Sequence, residues 1–207
     1  QLSPIVTIEE NFDSVLVPPN HVSRKKSDTY YLNKKQVLRT HTTAHEMELL
    51  AGHDEFITSG DVYRRDEIDQ YHYPVFHQME AVRVFQPEHF AVPQHDVQMV
   101  QTANDLKLTL EGLVKHLFGA VEMRWIDAYF PFTFPSFELE ILYEGKWLEM
   151  LGCGVLHPTI LKNAGKKPDE IAWAAGLGLE RFAMKLFDIR LSYPNMLGDC
   201  SLYFLLG

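Results

Sequence analysis

Alternation of apolar and polar residues constrains the fold of this chain more than any other feature of its sequence. In SFELEILYEGKWLEML, residues 136–151, the alternation breaks at Glu144-Gly145 and then resumes. A short break between two period-two segments predicts an antiparallel hairpin. Residues 55–65 and 74–85 show the same pattern and predict two more strands, joined by the polar loop 66–73.

One long segment has helical spacing instead. Residues 96–118 predict an amphipathic helix that Asp96 caps and Gly119 ends. Residues 171–187 predict a glycine-rich strand or turn that runs into another helix. These elements predict an α+β domain built on an antiparallel sheet, and they count against a dinucleotide-binding fold, which needs parallel βαβ units. The apolar residues at helical spacing in the long segment are Val97, Val100, Leu106, Leu110, Leu113, Val114 and Leu117.

Composition limits the classes of function. Of the 207 residues 46% are hydrophobic, which is enough for a sizeable core, and no apolar run reaches the roughly 18 residues of a membrane span. The net charge of -9 excludes a general polyanion binder, so contact with nucleic acid would need a local patch. Residues 23–26, SRKK, with Lys34 and Lys35, are either such a patch or solvated surface. Two distant cysteines, Cys153 and Cys200, indicate a reducing compartment.

The stretch AAGLGLERFAM, residues 174–184, contains half of a nucleotide-binding loop. A dinucleotide fingerprint would have a third glycine where Glu180 stands, and a P-loop would end in Gly-Lys-Ser/Thr. Here Gly176 and Gly178 lead to a single arginine, Arg181. Glycines inside a strand indicate the close approach of a ligand or of another backbone, so the stretch is either a ligand site or a tightly packed helix start.

Polar side chains occupy a strand face that should be apolar. Because side chains alternate across a strand, Phe76, Gln78 and Glu80 share one face. A buried carboxylate is costly unless it is paired, and a structural ion pair or an exposed face would explain one such residue. Arg64 on the preceding strand and Glu149 on another extend the pattern. Several polar groups around one concavity predict a site for a polar ligand.

An aromatic segment lies beside these strands in the predicted sheet. In YFPFTFPSF, residues 129–137, Phe130 and Phe132 point the same way with Pro131 between them. An aromatic stripe is usually part of a core. Next to a strand that carries carboxylates, it could also form the wall of a pocket for a flat ring.

In their order along the chain, these segments resemble the catalytic domain of the phenylalanyl-tRNA synthetases, closest to the single-chain mitochondrial type, a family of class II aminoacyl-tRNA synthetases. The resemblance runs from Phe12 to Arg190. NFDSVLVPPNHVSR (11–24) resembles motif 1, GDVYRRDEIDQYHYPVFHQMEAV (60–82) resembles motif 2, and AAGLGLER (174–181) resembles motif 3. LRTHTTAHE (38–46), YFPFTFPSFE (129–138) and KWLEMLGCGVLHP (146–158) are similar to the signatures of this amino-acid specificity.

The resemblance implies that phenylalanine is activated with ATP and Mg²⁺ and transferred to tRNA(Phe). Arg64, which would hold the α-phosphate, and Arg181, which would hold the γ-phosphate, are the expected catalytic residues. Phe76 would stack on adenine, and Glu149 would face ATP and its Mg²⁺. The implied ATP-binding residues are Arg64, Asp66, Tyr71, His72, Tyr73, Phe76, Glu149, Ala175, Gly178 and Arg181.

The resemblance also implies a site for the amino acid. Gln78 and Glu80 would receive its α-ammonium group, Phe130 and Phe132 would contact its ring, and Ala174 would form the pocket floor. The implied substrate-binding residues are His41, Thr43, Ala44, His45, Glu46, Gln78, Met79, Glu80, Phe130, Phe132, Ala174 and Gly176.

By the same resemblance, residues 1–190 are expected to form the class II catalytic domain. Residues 191–207 depart from the family pattern as a divergent tail, and the C-terminal anticodon-binding domain is expected to be absent. Ala175 stands where the family usually has an aromatic residue. We expect a monomer of the mitochondrial matrix without a membrane partner, although no import signal is visible in the first ten residues.

Two other interpretations remain open at the level of sequence. The chain could be a catalytically impaired synthetase paralogue or truncated isoform that binds RNA or a partner. It could also be a zinc hydrolase that uses His41 and His45 at helical i, i+4 spacing, although the glutamate of an HExxH motif is missing between them.

Overall fold

The computed structural model describes residues 2–65 and 74–188. Its strands in these ranges are β1 Ile5–Thr7, β2 Gln36–Leu38, β3 Glu55–Tyr63, β4 Val75–Phe85, β5 Met123–Phe130, β6 Thr133–Tyr143, β7 Lys146–Leu156 and β8 Ile171–Gly178. The α-helices are α1 Glu46–Gly52, α2 His95–Phe118, α3 Pro158–Asn163 and α4 Leu179–Phe187. Shorter helical turns are Glu9–Asp13, Val22–Arg24, Thr42–His45 and Pro87–His89.

The predicted antiparallel sheet is confirmed. Across the described ranges, six strands pair in the order β3-β4-β8-β7-β6-β5, and all of these pairs are antiparallel. Between β6 and β7, Tyr143 pairs with Lys146, and the two intervening residues have positive φ angles of 48° at Glu144 and 76° at Gly145. A two-residue hairpin loop favours this left-handed conformation, so the sequence break at this point has a direct structural cause.

The long helix α2 begins and ends close to the predicted positions. Gly119 follows its last residue with a φ angle of 69°, as predicted for a helix end. The prediction that Asp96 caps the helix is wrong, because the capping position belongs to Gln94. Asp96 lies in the first turn, where its negative charge still complements the helix dipole.

The two faces of the sheet are covered differently. On one face, α2 packs Leu106, Leu110 and Val114 into the largest apolar cluster. On the other face, Leu50 of α1 and Ile160 of α3 pack over only part of the sheet. The end of the sheet that α1 and α3 leave uncovered carries the polar residues of β4, and this arrangement creates room for a cavity.

The beginning of α2 contributes less to the core than the apolar spacing predicted. Val97 and Val100 are exposed, and the buried stripe is carried by residues further along the helix. Within the described residues, no helix combines the length and the apolar character that crossing a membrane requires.

The packing of α2 predicts a stability difference between two leucines of the same helix. Leu110 is buried, whereas Leu108 is 70% exposed. Leu110→Ala should lower the free energy of unfolding by about 2–5 kcal/mol, since it leaves a cavity beneath the helix. Leu108→Ala should change it by less than about 0.5 kcal/mol. Urea denaturation measures both, and equal losses would contradict this packing.

Candidate functional site

A cavity of about 800 Å³ lies on the sheet face opposite α2 and gathers most of the predicted site residues. They reach it from the segment before α1, from the central strands and from the start of α4. The predicted residues that line the cavity are His41, Thr43, Arg64, Phe76, Gln78, Glu80, Phe130, Phe132, Glu149, Ala174, Ala175, Gly176, Gly178 and Arg181.

The other predicted residues lie elsewhere. Met79 points to the opposite face of β4 and packs against the core beneath α2, because neighbouring side chains of a strand alternate. Ala44 packs in a small core near the N-terminus, and the His45 ring contacts the backbone oxygen of Ser3. Glu46 is fully buried outside the cavity lining. The predicted ATP-binding residues Asp66, Tyr71, His72 and Tyr73 lie outside the described residues.

Arg64 is held at the end of β3 by contacts on two sides. Its Nε donates to the backbone oxygen of Thr40 at 3.0 Å, and its guanidinium carbon lies 5.1 Å from the centre of the Phe76 ring. Asn11 fixes Thr40 in turn through two hydrogen bonds of 2.9 Å. The segment resembling motif 1 therefore sets the position of this arginine.

Arg181 enters the same cavity from the first turn of α4. Its Nη1 donates to the backbone oxygen of Glu149 at 2.9 Å and lies 3.1 Å from the Glu149 carboxylate. The glycine-rich end of β8 aims this side chain, because α4 starts directly after Gly178. Two guanidinium groups that are far apart in sequence thus line one cavity, as an elongated polyanion would require.

A second group of polar residues in the cavity offers side-chain oxygens that accept hydrogen bonds. Thr43 Oγ1 donates to Glu80 Oε1 at 2.7 Å, and the backbone N–H of Thr42 donates to Gln78 Oε1 at 3.2 Å. Glu80 is 3% exposed, and its second oxygen has no hydrogen-bond partner among the described residues. Because ionised carboxylates are rarely buried unpaired, this oxygen marks a place for a cationic or donor group of a ligand.

Burial changes the protonation of the acids in this region. It raises the pKa of Glu80 to about 7, although the hydrogen bond from Thr43 lowers it. The neighbouring Glu46 has neither carboxylate oxygen hydrogen-bonded within the described part of the chain, and burial, with the charge of Glu80, raises its pKa well above the ordinary value. Both shifts favour the protonated acids, and Glu80 is poised between its two forms near neutral pH.

His41 lies nearby and is uncharged. Loss of contact with water lowers its pKa to about 3, and the positive charge of Arg64 acts in the same direction. The imidazole is therefore neutral at pH 7 and adds no positive charge to the cavity.

An aromatic recess forms the remaining wall of the cavity. The rings of Phe130 and Phe132 are nearly parallel, with centres 5.8 Å apart. Gly152 of β7 makes room for Phe130, since a Cβ at this position would lie 2.7 Å from the ring. Gly176 does the same for Gln78, where the distance would be 2.6 Å.

Sequence reasoning did not identify Gly152, Glu138 or Glu180 as parts of this region. Gly152 pairs directly with Gly176 on the neighbouring strand, so the signal was a pair of glycines in register, visible only once the strand pairing is known. Burial raises the pKa of Glu138, and the negative charge of the nearby Glu149 raises it further. Glu138 is therefore a second carboxylate close to Glu149.

These residues fit a magnesium ion better than a zinc ion. Mg²⁺ binds through one or two carboxylates together with phosphate oxygens, and Glu149 with the neighbouring Glu138 can supply the carboxylates. No group of three or more His, Cys, Asp or Glu residues suited to a metal occurs in residues 2–65 and 74–188. His41 precedes the turn Thr42–His45 in an extended conformation, so His41 and His45 do not share an α-helical face as the zinc interpretation requires.

Comparisons with known proteins place this geometry in context. The family model "tRNA synthetases class II core domain (F)" matches residues 3–197. The chain is 60% identical over 189 residues to a phenylalanine--tRNA ligase of Arabidopsis thaliana named chloroplastic/mitochondrial, covering 91% of this chain and 44% of that protein. It is 50% identical over 213 residues to the mitochondrial phenylalanine--tRNA ligase of Rattus norvegicus, covering 91% and 45%.

A bacterial relative is also similar. The chain is 40% identical over 192 residues to the phenylalanine--tRNA ligase alpha subunit of Acaryochloris marina, covering 89% of this chain and 54% of that subunit. The chain spans about half the length of the curated relatives it matches.

The protonation of Glu80 gives a stability prediction. Because its pKa is raised in the folded state, the stability that it contributes is complete below the ordinary value of 4.5 and is lost as the pH rises through about 7. Glu80→Gln removes this loss and keeps an acceptor for Thr43. Relative to wild type, it should gain roughly 3 kcal/mol of unfolding free energy between about pH 4 and about pH 8.5.

Urea denaturation at the two pH values measures this gain. The matched control is Glu88→Gln, which makes the same substitution at an exposed position of the short turn Pro87–His89. An equal pH dependence in the wild type and Glu80→Gln would show that Glu80 has an ordinary pKa.

Proposed function

The chain belongs to the class II tRNA synthetase core-domain family, and we propose that it activates phenylalanine with ATP to phenylalanyl-adenylate and transfers the phenylalanyl group to tRNA(Phe). One observation carries the proposal. An unpaired carboxylate oxygen of Glu80 and an aromatic recess share a cavity with two guanidinium groups. Phenylalanine offers an ammonium group and a flat ring, and ATP offers the phosphates.

The first step requires alignment rather than acid–base catalysis. The carboxylate of phenylalanine, ionised at pH 7, attacks the α-phosphorus; the new O–P bond forms as the bond to pyrophosphate breaks. Arg64 would stabilise the charge on the α-phosphate, and Arg181 would hold the γ-phosphate. A guanidinium group suits both roles, because its forked donors match pairs of phosphate oxygens.

The adenosine and the metal ion would occupy the same side of the cavity. Phe76 would stack on adenine, and the glycines at the end of β8, together with Ala175, would let ATP lie close to the sheet. Glu149 and the nearby Glu138 would hold Mg²⁺, which would neutralise part of the phosphate charge when bound. Asp66, Tyr71, His72 and Tyr73 remain proposed ATP-binding residues from their positions in the motif 2 segment.

The amino acid would lie between the acids and the aromatic recess. Glu80 and Gln78 would receive the α-ammonium group, with His41, Thr43 and Gly176 beside it. Phe130, Phe132 and Ala174 would surround the phenyl ring. We propose that four further residues support this site from outside, since none of them lines the cavity: Ala44, His45, Glu46 and Met79.

In the second step, a hydroxyl of the terminal ribose of tRNA would attack the adenylate carbonyl carbon, and AMP would leave.

The names of the relatives suggest a mitochondrial location, and we propose the matrix. We propose that residues 1–190 form the catalytic domain and that the chain acts as a monomer, in contrast to the relative named as an alpha subunit.

Phenylalanine-dependent exchange of pyrophosphate into ATP tests the role of Arg64. Arg64→Ala should reduce kcat/KM for ATP by roughly 1000-fold, because a charge that stabilises the transition state is lost. Arg64→Lys should restore only part of this loss, since lysine lacks the forked donors. The control is Arg65→Ala, which removes the exposed neighbouring charge. Near-normal exchange in Arg64→Ala would refute the proposed role.

Discrimination against tyrosine tests the amino-acid pocket. The proposed ring site consists of phenylalanine rings and Ala174 and offers an added hydroxyl no charged partner. An apolar pocket of this kind rejects an extra hydroxyl by only about 100-fold. We expect this ratio between the kcat/KM values for phenylalanine and tyrosine in the exchange assay. Discrimination of about 10,000-fold would contradict a purely apolar ring site.

A further inference from the structure

A charged contact outside the cavity joins three elements of the fold at His77. The side chain of His77 lies on the face of β4 opposite Gln78 and Glu80, so it cannot reach a ligand in the cavity directly. Its Nδ1 lies 2.7 Å from Glu180 Oε1 on α4, and its Nε2 lies 3.2 Å from Asp61 Oδ1 on β3. The backbone N–H of His77 also donates to Glu180 Oε1 at 2.8 Å.

The geometry favours a protonated ring. An ionised carboxylate only accepts hydrogen bonds, so Nδ1 donates to Glu180, while Nε2 lies at ion-pair distance from Asp61. Two carboxylates beside one imidazole favour the imidazolium. The hydrogen bond to Glu180 raises the pKa of His77, partial burial lowers it, and the charges of Glu180 and Asp61 raise it again. In the described part of the chain, Glu180 and Asp61 are the charged groups that face the ring, and Arg39 approaches the backbone oxygen of Asp61 at 2.7 Å.

Glu180 connects this contact to the cavity. It immediately precedes Arg181 in the first turn of α4, and both residues line the cavity. Glu180 is largely buried, and its second carboxylate oxygen has no hydrogen-bond partner among the described residues. Whatever fixes Glu180 therefore also fixes the direction in which Arg181 leaves the helix.

We propose that His77 is a positioning residue for ATP: as an imidazolium it clamps Glu180 to Asp61, and this clamp presents Arg181 to the phosphates. The inference rests on the proposed function for the identity of the ligand. When His77 loses a proton, its charge attraction to Glu180 and Asp61 is lost, and the cavity rim gains a net negative charge that repels ATP. The affinity for Mg·ATP should therefore be highest below the pKa of His77 and should fall as the pH rises through it.

Titration calorimetry of the 207-residue chain with Mg·ATP, from about pH 6 to about pH 9, tests the clamp. Each variant is compared with wild type at the same pH, so that titration of the nucleotide cancels. His77→Gln should bind roughly tenfold more weakly at the lowest pH, the loss expected for one charge-assisted hydrogen bond, and the difference should vanish at the highest pH.

A second variant leaves the histidine in place. Asp61→Asn removes one carboxylate from the ring and should move the midpoint of the pH dependence to lower pH. The control Asp127→Asn makes the same change of charge at an exposed position of β5, on the opposite edge of the sheet, and should leave the midpoint unchanged. NMR of the His77 ring should show both nitrogens protonated at pH 6.5, without any need for ATP.

Three results would overturn the proposal: His77→Gln binding like wild type at every pH, Asp61→Asn behaving like Asp127→Asn, or a His77 ring that titrates at or below 6.5. If His77→Gln does not fold, Asp61→Asn and the NMR titration decide the question.

Wild-type binding of Mg·ATP without phenylalanine-dependent exchange would refute the proposed function and leave the clamp testable. Exchange without the predicted pH dependence would refute the clamp alone.

Discussion

The structure depends on one constraint: the central strands must fill one face of the sheet and leave part of the other face bare. Towards α2, Leu139, Leu151 and Leu177 pack in a dense apolar cluster. On the opposite face, Gly152 and Gly176 face each other across β7 and β8. The apolar cluster provides the stability of the sheet, so the bare region does not have to contribute to it.

The bare region allows charges to be separated within one cavity. The amide of Gln78 and the carboxyl group of Glu80 lie on β4, whereas the guanidinium groups come from the ends of β3 and β8, where the chain leaves the sheet. Thr43 supports the negative group, and Thr40 supports Arg64. Both threonines belong to the segment between β2 and α1, which thus orients groups of opposite charge.

Much of the fold could be predicted because local patterns determine it. The hairpin loop at Glu144-Gly145 needs two left-handed residues, and the end of α2 needs Gly119; both were visible as breaks in periodicity. The prediction of where α2 starts was less accurate, since Gln94 takes the capping position without a side-chain hydrogen bond. A helix start without a side-chain cap leaves little trace in a single sequence.

Site residues could be predicted where their chemical type and motif position indicate their role. They could not be predicted where the role depends on strand pairing or on the strand face that a side chain occupies. Arg64 and Arg181 were identified because they stand at the arginine positions of the segments that resemble motifs 2 and 3. Met79 was placed in the site by its neighbours in the motif, but the alternation of β4 turns it to the other face. His77 is also turned away from the cavity, and its link to Glu180 spans 103 positions of sequence, which no local pattern reveals.

The buried acid Glu80 also couples ligand binding to the stability of the fold. A site that binds an ammonium group needs a carboxylate, yet an empty site with an ionised, buried carboxylate would destabilise the fold. Glu80, with a pKa of about 7, can remain protonated while the cavity lacks a cation and can ionise when one arrives. Binding of a ligand with an ammonium group would then release a proton, so that the affinity for such a ligand and the stability of the empty fold change in opposite directions with pH.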